Sequence, residues 1–449
     1  MTNASYVERP RWSCALGGAL AAVGNLPQTV PILHCGPGCA GNFAWTNNGA
    51  SALNVTGPCL GLNVPATNLQ ENEVVFGGLE RLKEEILNCF EIMEGSIYFV
   101  LTGCLPEVIG DDVESLVLEL NSPKRPVLFS SVPGFNGDSY KGYEEALKTI
   151  FLGLAAKKTS KNSSLVNVLG VPPAMDPFWR GNLEGIESLL SLLGLKSNLF
   201  FGPRADLELI KKSGSAAKNI VVSPLYGLEA AELALALYGL DYVQAPLPIG
   251  AAASERFLRI VGQALKIPST KVEAAISEAS RIHYLYLEPI IDLYNDMELQ
   301  RHALVVGDVN YALALSDFLI EDLGWASELV AVVNDLTESQ KEAVLDFRKR
   351  LGGPYSPEKL IFENRAEAIR QEAFKIWKSD EGKKYRNDRK PIFVAGSSLE
   401  RTLAAQLGAA HLSLTFPVTN RAVLTTGYTG YLGGLRLTED LVDACVSGR

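Results

Sequence analysis

Short, near-continuous apolar runs recur along the chain, each closed by glycine, proline or a small polar residue. They include Ile97–Gly103 (IYFVLTG), Val166–Pro172 (VNVLGVP), Asn219–Pro224 (NIVVSP), Ala303–Asp308 (ALVVGD), Leu329–Asp335 (LVAVVND) and Pro391–Ser397 (PIFVAGS). Runs of this kind suit strands buried on both faces, which belong to parallel sheets. Most are followed by helix-compatible sequence, such as Asn310–Leu323 and Leu399–Leu407. Strand, tight turn and helix in succession is the βαβ pattern of doubly wound α/β domains.

Three blocks separate on this pattern. The first covers residues 1–160 and closes in the polar linker KKTSKNSS. The second, 161–300, ends in a long helical pattern through Val272–Gln300. The third, 301–449, contains the charged stretch Lys378–Lys390, read as a solvated helix end and loop. The expected fold is α/β, with three Rossmann-like α/β/α domains. The glycine turns in VVGDVN and VAGSS match neither GxGxxG nor a Walker loop, so they read as tight strand–helix turns rather than nucleotide sites.

The chain has 449 residues, 47% hydrophobic and 20% charged, which fits a folded protein of two or three cores. A net charge of −10 argues against nucleic acid, whose phosphates need clustered Lys and Arg. The most apolar stretches, Cys14–Val23 and Ile220–Leu240, are too short or too interrupted to span a membrane. MTNASYVERPRW has no apolar signal core, so the expected location is cytoplasmic.

Of the seven cysteines, six fall between Cys14 and Cys104, and the next is Cys445. Thiolates reserved for metal in a reducing compartment explain that distribution better than disulfides do. Cys14 (RWSCALGG), Cys39 (HCGPGCAGN) and Cys104 (LTGCLPEV) each lie near glycine or at a strand-to-helix turn. Small neighbours admit an inorganic core, and exposed backbone N–H groups can bond its sulfides. Cys104, at the predicted start of a helix, would also gain from the positive end of the helix dipole, which favours thiolate. The competing reading is that isolated cysteines are small buried hydrophobes, and it is preferred for Cys89 and Cys445. No compact CxxC pair is present, so zinc fits poorly.

The surrounding words resemble a known family. HCGPGCAGN, then QENEVVFGG (Gln70–Gly78), then TGCLPEVIGDD (Thr102–Asp112) are similar to the N-terminal domain of nitrogenase component 1 subunits. VNVLGVPP, APLPIG, RHALVVGDVNYALAL and LTFPVTNRAVLTTGYTGYLGG (Leu414–Gly434) resemble later segments of the same family in the same order. The resemblance implies a β-type subunit of a nitrogenase-like reductase. Cys14, Cys39 and Cys104 would then hold this chain's share of an [8Fe–7S] P-cluster, or of a [4Fe–4S] cluster, at the interface with a partner. It also implies two partners: an α-type subunit, in a heterodimer or an α2β2 assembly, and an ATP-dependent Fe protein that docks near Phe76, Glu71 and Glu73. Ordinary core packing is the alternative for Phe76. Asp138 aligns with a serine that ligates the oxidised P-cluster, with Ser139 beside it. Cys35 and Cys59 are additional thiols, either extra ligands or small core residues.

Catalytic α-type subunits of this family hold a cofactor with a second-domain cysteine and a third-domain histidine. This chain has no cysteine between Cys104 and Cys445, and its C-terminal word carries Thr419, Asn420 and Thr426 in place of histidine. His302 and His411 read as structural. Substrate chemistry, on dinitrogen or on a C–S bond as in methylthio-alkane reductases, is therefore expected on the partner. Alternatives are a cofactor-assembly scaffold and a tetrapyrrole-reductase-like [4Fe–4S] subunit.

Overall fold

The protein is described by a computed structural model covering residues 7–8, 10–53, 64–155, 160–378 and 388–447, apart from the side chains of 44–48. Its strands are β1 (Thr29–His34), β2 (Ile97–Thr102), β3 (Val127–Ser131), β4 (Asn162–Leu169), β5 (Lys196–Leu199), β6 (Ala216–Val221), β7 (Tyr242–Gln244), β8 (His302–Gly307), β9 (Ala326–Val332), β10 (Leu360–Phe362), β11 (Ile392–Gly396) and β12 (Ala410–Ser413). They form three sheets, ordered β1-β2-β3, β5-β4-β6-β7 and β10-β9-β8-β11-β12. Every pairing within them is parallel. The fold is α/β with Rossmann-like α/β/α units, as the alternation of buried runs and helical stretches predicts.

The first sheet positions the cysteines. All six residues of β1 and of β2 are buried, so helices have to cover both faces. The helices of this region are α1 (Ala15–Val23), α2 (Pro37–Gly49), α3 (Glu71–Phe76), α4 (Leu79–Ile92), α5 (Cys104–Ile109), α6 (Val113–Leu120) and α7 (Ser139–Gly153). Helix α1 packs extensively against α7. This packing depends on Gly18 and Gly142, where a Cβ would run into the backbone of Ser139 and Ala15 respectively. That contact holds Cys14, at the start of α1, beside Asp138, at the start of α7.

Two expectations change. The helical pattern of Val272–Gln300 is not one helix: an α-helix covers Ser269–Leu287, a 3-10 turn Glu288–Ile290 and a second helix Ile291–Asp296. Pro289 lies at the break, where its ring and missing N–H stop helix propagation. The stretch KKTSKNSS is not all linker, because β4 begins at Asn162. Residues 156–159 and most of the charged run 378–390 lie outside the described residues. No helix among the described residues is long and apolar enough to cross a membrane.

Candidate functional site

In a parallel α/β sheet the strand-to-helix turns gather at the carboxyl edge of the strands, and binding groups collect there. Here β1 runs into α2, β2 into α5, and β3 into a 3-10 turn at Gly134–Asn136 that leads on to α7. The strand ends are in register, with His34 beside Thr102 and Thr102 beside Ser131. Cys39 lies in the first turn of α2, Cys104 is the first residue of α5, and Cys14 is the N-cap of α1. All three therefore sit at helix starts.

Two pairs of thiols form at this edge. The sulfurs of Cys14 and Cys104 both lie 3.2 Å from the point where a Cβ on Gly134 would stand. Glycine at 134 leaves that space open, and its N–H donates to Cys104 Sγ at 3.0 Å. Ala15 N–H donates to the Gly137 carbonyl at 2.9 Å, and Cys14 pairs with Asp138 as an isolated antiparallel bridge. The α1 start is thus stitched to the loop that carries Gly134.

The second pair is Cys35 with Cys39, four positions further along the chain. The neighbouring Cys35 thiol draws that of Cys39 down to about 7, against the effect of burial. The Cys39 thiol, together with burial, pushes Cys35 up. Cys35 is fully buried, and its Cβ lies 3.0 Å from the Cβ position of Gly103, the residue before Cys104. The two pairs consequently occupy neighbouring turns of one sheet edge. Cys14 and Cys39 are half-buried, Cys104 is exposed, and all six described cysteines are free.

A buried brace supports this edge. His34 Nε2 lies 3.0 Å from Asp111 Oδ2 and Nδ1 lies 3.1 Å from Thr67 Oγ1. Asp111 accepts Gly78 N–H at 3.0 and 3.2 Å, and Thr67 Oγ1 accepts Cys35 N–H at 3.2 Å. Burial draws the His34 pKa down, opposed by the Asp111 hydrogen bond. His34, Thr67, Asp111 and Gly134 were not singled out from the sequence. The adjacency of His34 to Cys35, and the aspartates closing TGCLPEVIGDD, were the available signals.

Other candidates fall as follows. Phe76 is 82% exposed, which overturns core packing for it, and Val75 beside it and Val108 on α5 are also exposed. Glu71 is exposed, whereas Glu73 is half-buried and accepts Gln70 N–H at 2.7 Å as a helix cap. The Asp138 carboxylate caps α7, accepting Tyr140 N–H at 3.0 Å and Lys141 N–H at 3.3 Å. Burial raises its pKa while those N–H groups oppose the rise. Ser139 is buried and donates to the Ser13 carbonyl at 2.8 Å. Cys89 and Cys445 are buried within helices away from the site. His302 Nδ1 contacts Glu328 at 2.6 Å, and His411 Nε2 lies 3.0 Å from the Ser397 carbonyl. Cys59 lies outside the described residues.

The residues fit a polynuclear iron–sulfur group. The set offers free thiols at helix starts, a glycine-sized space between two of them and a backbone N–H on one sulfur. Among the described residues no three His, Cys, Asp or Glu side chains are grouped as for a single metal ion. Ligands to different irons of one cluster need not converge on one point.

A buried polar cluster lies elsewhere in the fold. Asp176, Asn182, Tyr311 and Tyr428 are buried. Asn182 Nδ2 donates to Asp176 Oδ2 and lies against the Tyr311 hydroxyl, both at 2.7 Å. Tyr311 donates to Asp176 Oδ1 at 2.9 Å, and Tyr428 N–H donates to Asn182 Oδ1 at 2.8 Å. Burial pushes Asp176 up to about 7.

This architecture is that of nitrogenase component 1. The structure titled "Nitrogenase Cp1 at pH 6.5" superposes with a TM-score of 0.77 at 17% identity, covering 100% of this chain and 95% of that one. The family model for nitrogenase component 1 type oxidoreductases matches residues 14–446, and the chain belongs to that family. It is 23% identical to the nitrogenase molybdenum-iron protein beta chain of Methanococcus maripaludis, over 97% of this chain and 94% of that protein. To the beta chain of Bradyrhizobium diazoefficiens it is 25% identical over 70% of this chain, and it spans 62% of that relative's length. The cofactor biosynthesis protein NifE of Nostoc is 26% identical over 62% of this chain and 56% of its own length.

Proposed function

We propose that this chain is the β-type subunit of a nitrogenase-like reductase and holds a P-cluster-type iron–sulfur cluster at the boundary with an α-type partner. Cys14, Cys39 and Cys104 supply its thiolate ligands. When bound, the cluster provides reversible electron transfer for a multi-electron reduction carried out on the partner, with dinitrogen or a C–S substrate as the acceptor. The chain's own residues do the rest. The α1–α7 contact fixes Cys14, the β1 and β2 ends fix Cys39 and Cys104, and Gly134 keeps the space between sulfurs open while its N–H bonds Cys104. The exposed Val75, Phe76 and Val108 form an apolar surface on α3 and α5, next to the exposed Cys104. An apolar patch so placed suits docking of the ATP-dependent Fe protein.

The observation that carries this reading is the pair of sulfurs, Cys14 and Cys104, facing one glycine-sized gap from elements 90 residues apart. The absence of any cysteine between Cys104 and Cys445, and of histidine in Leu414–Gly434, favours a β-type role. Replacing Cys39 with alanine tests the assignment. Iron content and the cluster's EPR signal in the anaerobically purified complex are expected to be lost, and unchanged iron would refute the ligand set.

Similarity to NifE supports a second reading, a scaffold subunit that holds a precursor cluster and passes it on. Sustained substrate turnover by the complex with its reductase separates the enzyme from the scaffold.

A further inference from the structure

Resting on the assignment of Cys104 as a ligand, proposed above, we infer that Glu107 is a positioning residue for that ligand. Its carboxylate ties α5 to the ends of β2 and β3 and so holds the Cys104 sulfur against the Gly134 N–H. Through that contact Glu107 tunes the reduction potential of the iron–sulfur group bound there.

Helix α5 has little else to fix its start. It is six residues long, buries only Pro106, and begins after Gly103, which has no side chain to cap it. So short a helix is not stable by itself, and one proline ring buries too little apolar surface to orient it. Polar contacts do so instead. Before the helix, Gly103 N–H donates to the His34 carbonyl at 2.9 Å; beyond it, Asp111 is held by His34 and Gly78. Glu107 lies between them, about one turn after Cys104. Its Oε1 accepts the Thr102 hydroxyl at 2.5 Å and the Ser131 hydroxyl at 2.6 Å. Thr102 is fully buried and ends β2, while Ser131 ends β3, three positions before Gly134.

One carboxylate oxygen therefore joins the helix that starts with Cys104 to the strand that leads to Gly134. This closes a ring, because the Gly134 N–H donates to Cys104 Sγ at 3.0 Å on the other side. With the Glu107 link removed, α5 is free to tilt and the N–H···S contact lengthens. A hydrogen bond to a ligand sulfur favours the more negative, reduced state, so weakening it moves the potential down. The charge of the carboxylate acts in the opposite sense, since an anion nearby disfavours an added electron. Charge and hydrogen bonding have to be varied separately.

The test measures iron content and midpoint potential, by EPR-monitored redox titration, in the anaerobically purified complex. Thr102→Val and Ser131→Ala each remove one hydroxyl donor and leave the carboxylate charge in place. Both are expected to keep wild-type iron and to titrate below wild type, with the double variant lower than either. Glu107→Ala and Glu107→Gln are both uncharged, but the glutamine amide oxygen still accepts from the two hydroxyls, so alanine is expected to titrate below glutamine. Should Glu107→Ala not accumulate, the hydroxyl variants decide the matter. A double hydroxyl variant at the wild-type potential, or Glu107→Ala at or above Glu107→Gln, would overturn the inference. Iron lost from Glu107→Gln as fully as from Cys104→Ala would make the carboxylate a ligand and overturn it too. Full iron in Cys104→Ala would instead sink the ligand assignment itself.

Discussion

Replacing Gly134 with alanine probes the thiol cradle with one methyl group. The new Cβ would stand 3.2 Å from the sulfurs of Cys14 and Cys104 and 3.0 Å from Cys14 Cβ. Non-bonded heavy atoms settle at roughly 3.5–4.0 Å, so the thiols or the turn must retreat by about half an ångström. Gly134 is not among the residues with left-handed backbone, so alanine adds bulk without backbone strain. Its N–H remains available to Cys104. Overpacking on this scale costs about 1–3 kcal/mol, which lowers the melting temperature of a domain this size by several degrees. The chain still folds. Ligand placement is less forgiving, because a functional constellation tolerates displacement of only about half an ångström. Iron per complex is therefore expected to fall below half the wild-type value. Gly41→Ala in α2, where nothing lies within 4 Å of the added Cβ, serves as the control and should keep full iron. The assay is iron quantification with thermal unfolding on the same anaerobic preparations. Full iron and an unaltered spectrum in Gly134→Ala would refute the cradle as the place where the cluster is held.

Phe76→Ala removes an exposed side chain, so stability should stay within about 0.5 kcal/mol. Reductase-dependent electron delivery should slow by about tenfold if Phe76 anchors the docked partner, and normal delivery kinetics would contradict that role. Asp308 is buried and its carboxyl is pushed up from 3.8 to about 6. The folded state therefore holds this proton more tightly than the unfolded one, and the contribution is present below the unfolded value and lost as pH rises through the folded one. Asp308→Asn mimics the neutral form and keeps the acceptor for Asn310 and Tyr311 N–H, so it should lack a decline of about 3 kcal/mol that wild type shows between about pH 4 and pH 6. Parallel denaturation profiles of the two proteins would contradict this. Arg11 pairs with Glu400 at 2.6 Å, with both side chains buried. Arg11→Met strands that carboxylate and should cost about 3–5 kcal/mol; a loss under about 1 kcal/mol by chemical denaturation would show the pair to be dispensable.

Much of the fold was legible because parallel strands are buried on both faces. The runs at β2, β4, β6, β8, β9 and β11 carry no polar alternation that could be mistaken for a helix or an edge. β1 escaped notice because TVPILH contains a proline. The short β5, β7, β10 and β12, of three or four residues, bury too little to leave a pattern. The helical run after Val272 was read through Pro289 because its apolar spacing continues past the break.

The candidate site was legible in a different way. Cys14, Cys39 and Cys104 stood out only together with the words around them, since spacing alone does not distinguish a ligand from a small core residue. The contacts made on folding could not be read from the chain. Gly134 meets Cys14 and Cys104 across 120 and 30 positions respectively, and His34 meets Asp111 across 77. Nothing local marks either partner. Phe76, undecided between core and surface in the sequence, is resolved by packing: α3 is only six residues long and buries none of them.

The most direct measurement is anomalous X-ray scattering at the iron absorption edge, from crystals of the complex grown without oxygen. A group of iron peaks within bonding distance of the Cys14, Cys39 and Cys104 sulfurs, at the border with the second subunit, is the predicted result. Iron located elsewhere, or those three sulfurs free of metal in fully active material, would contradict the account.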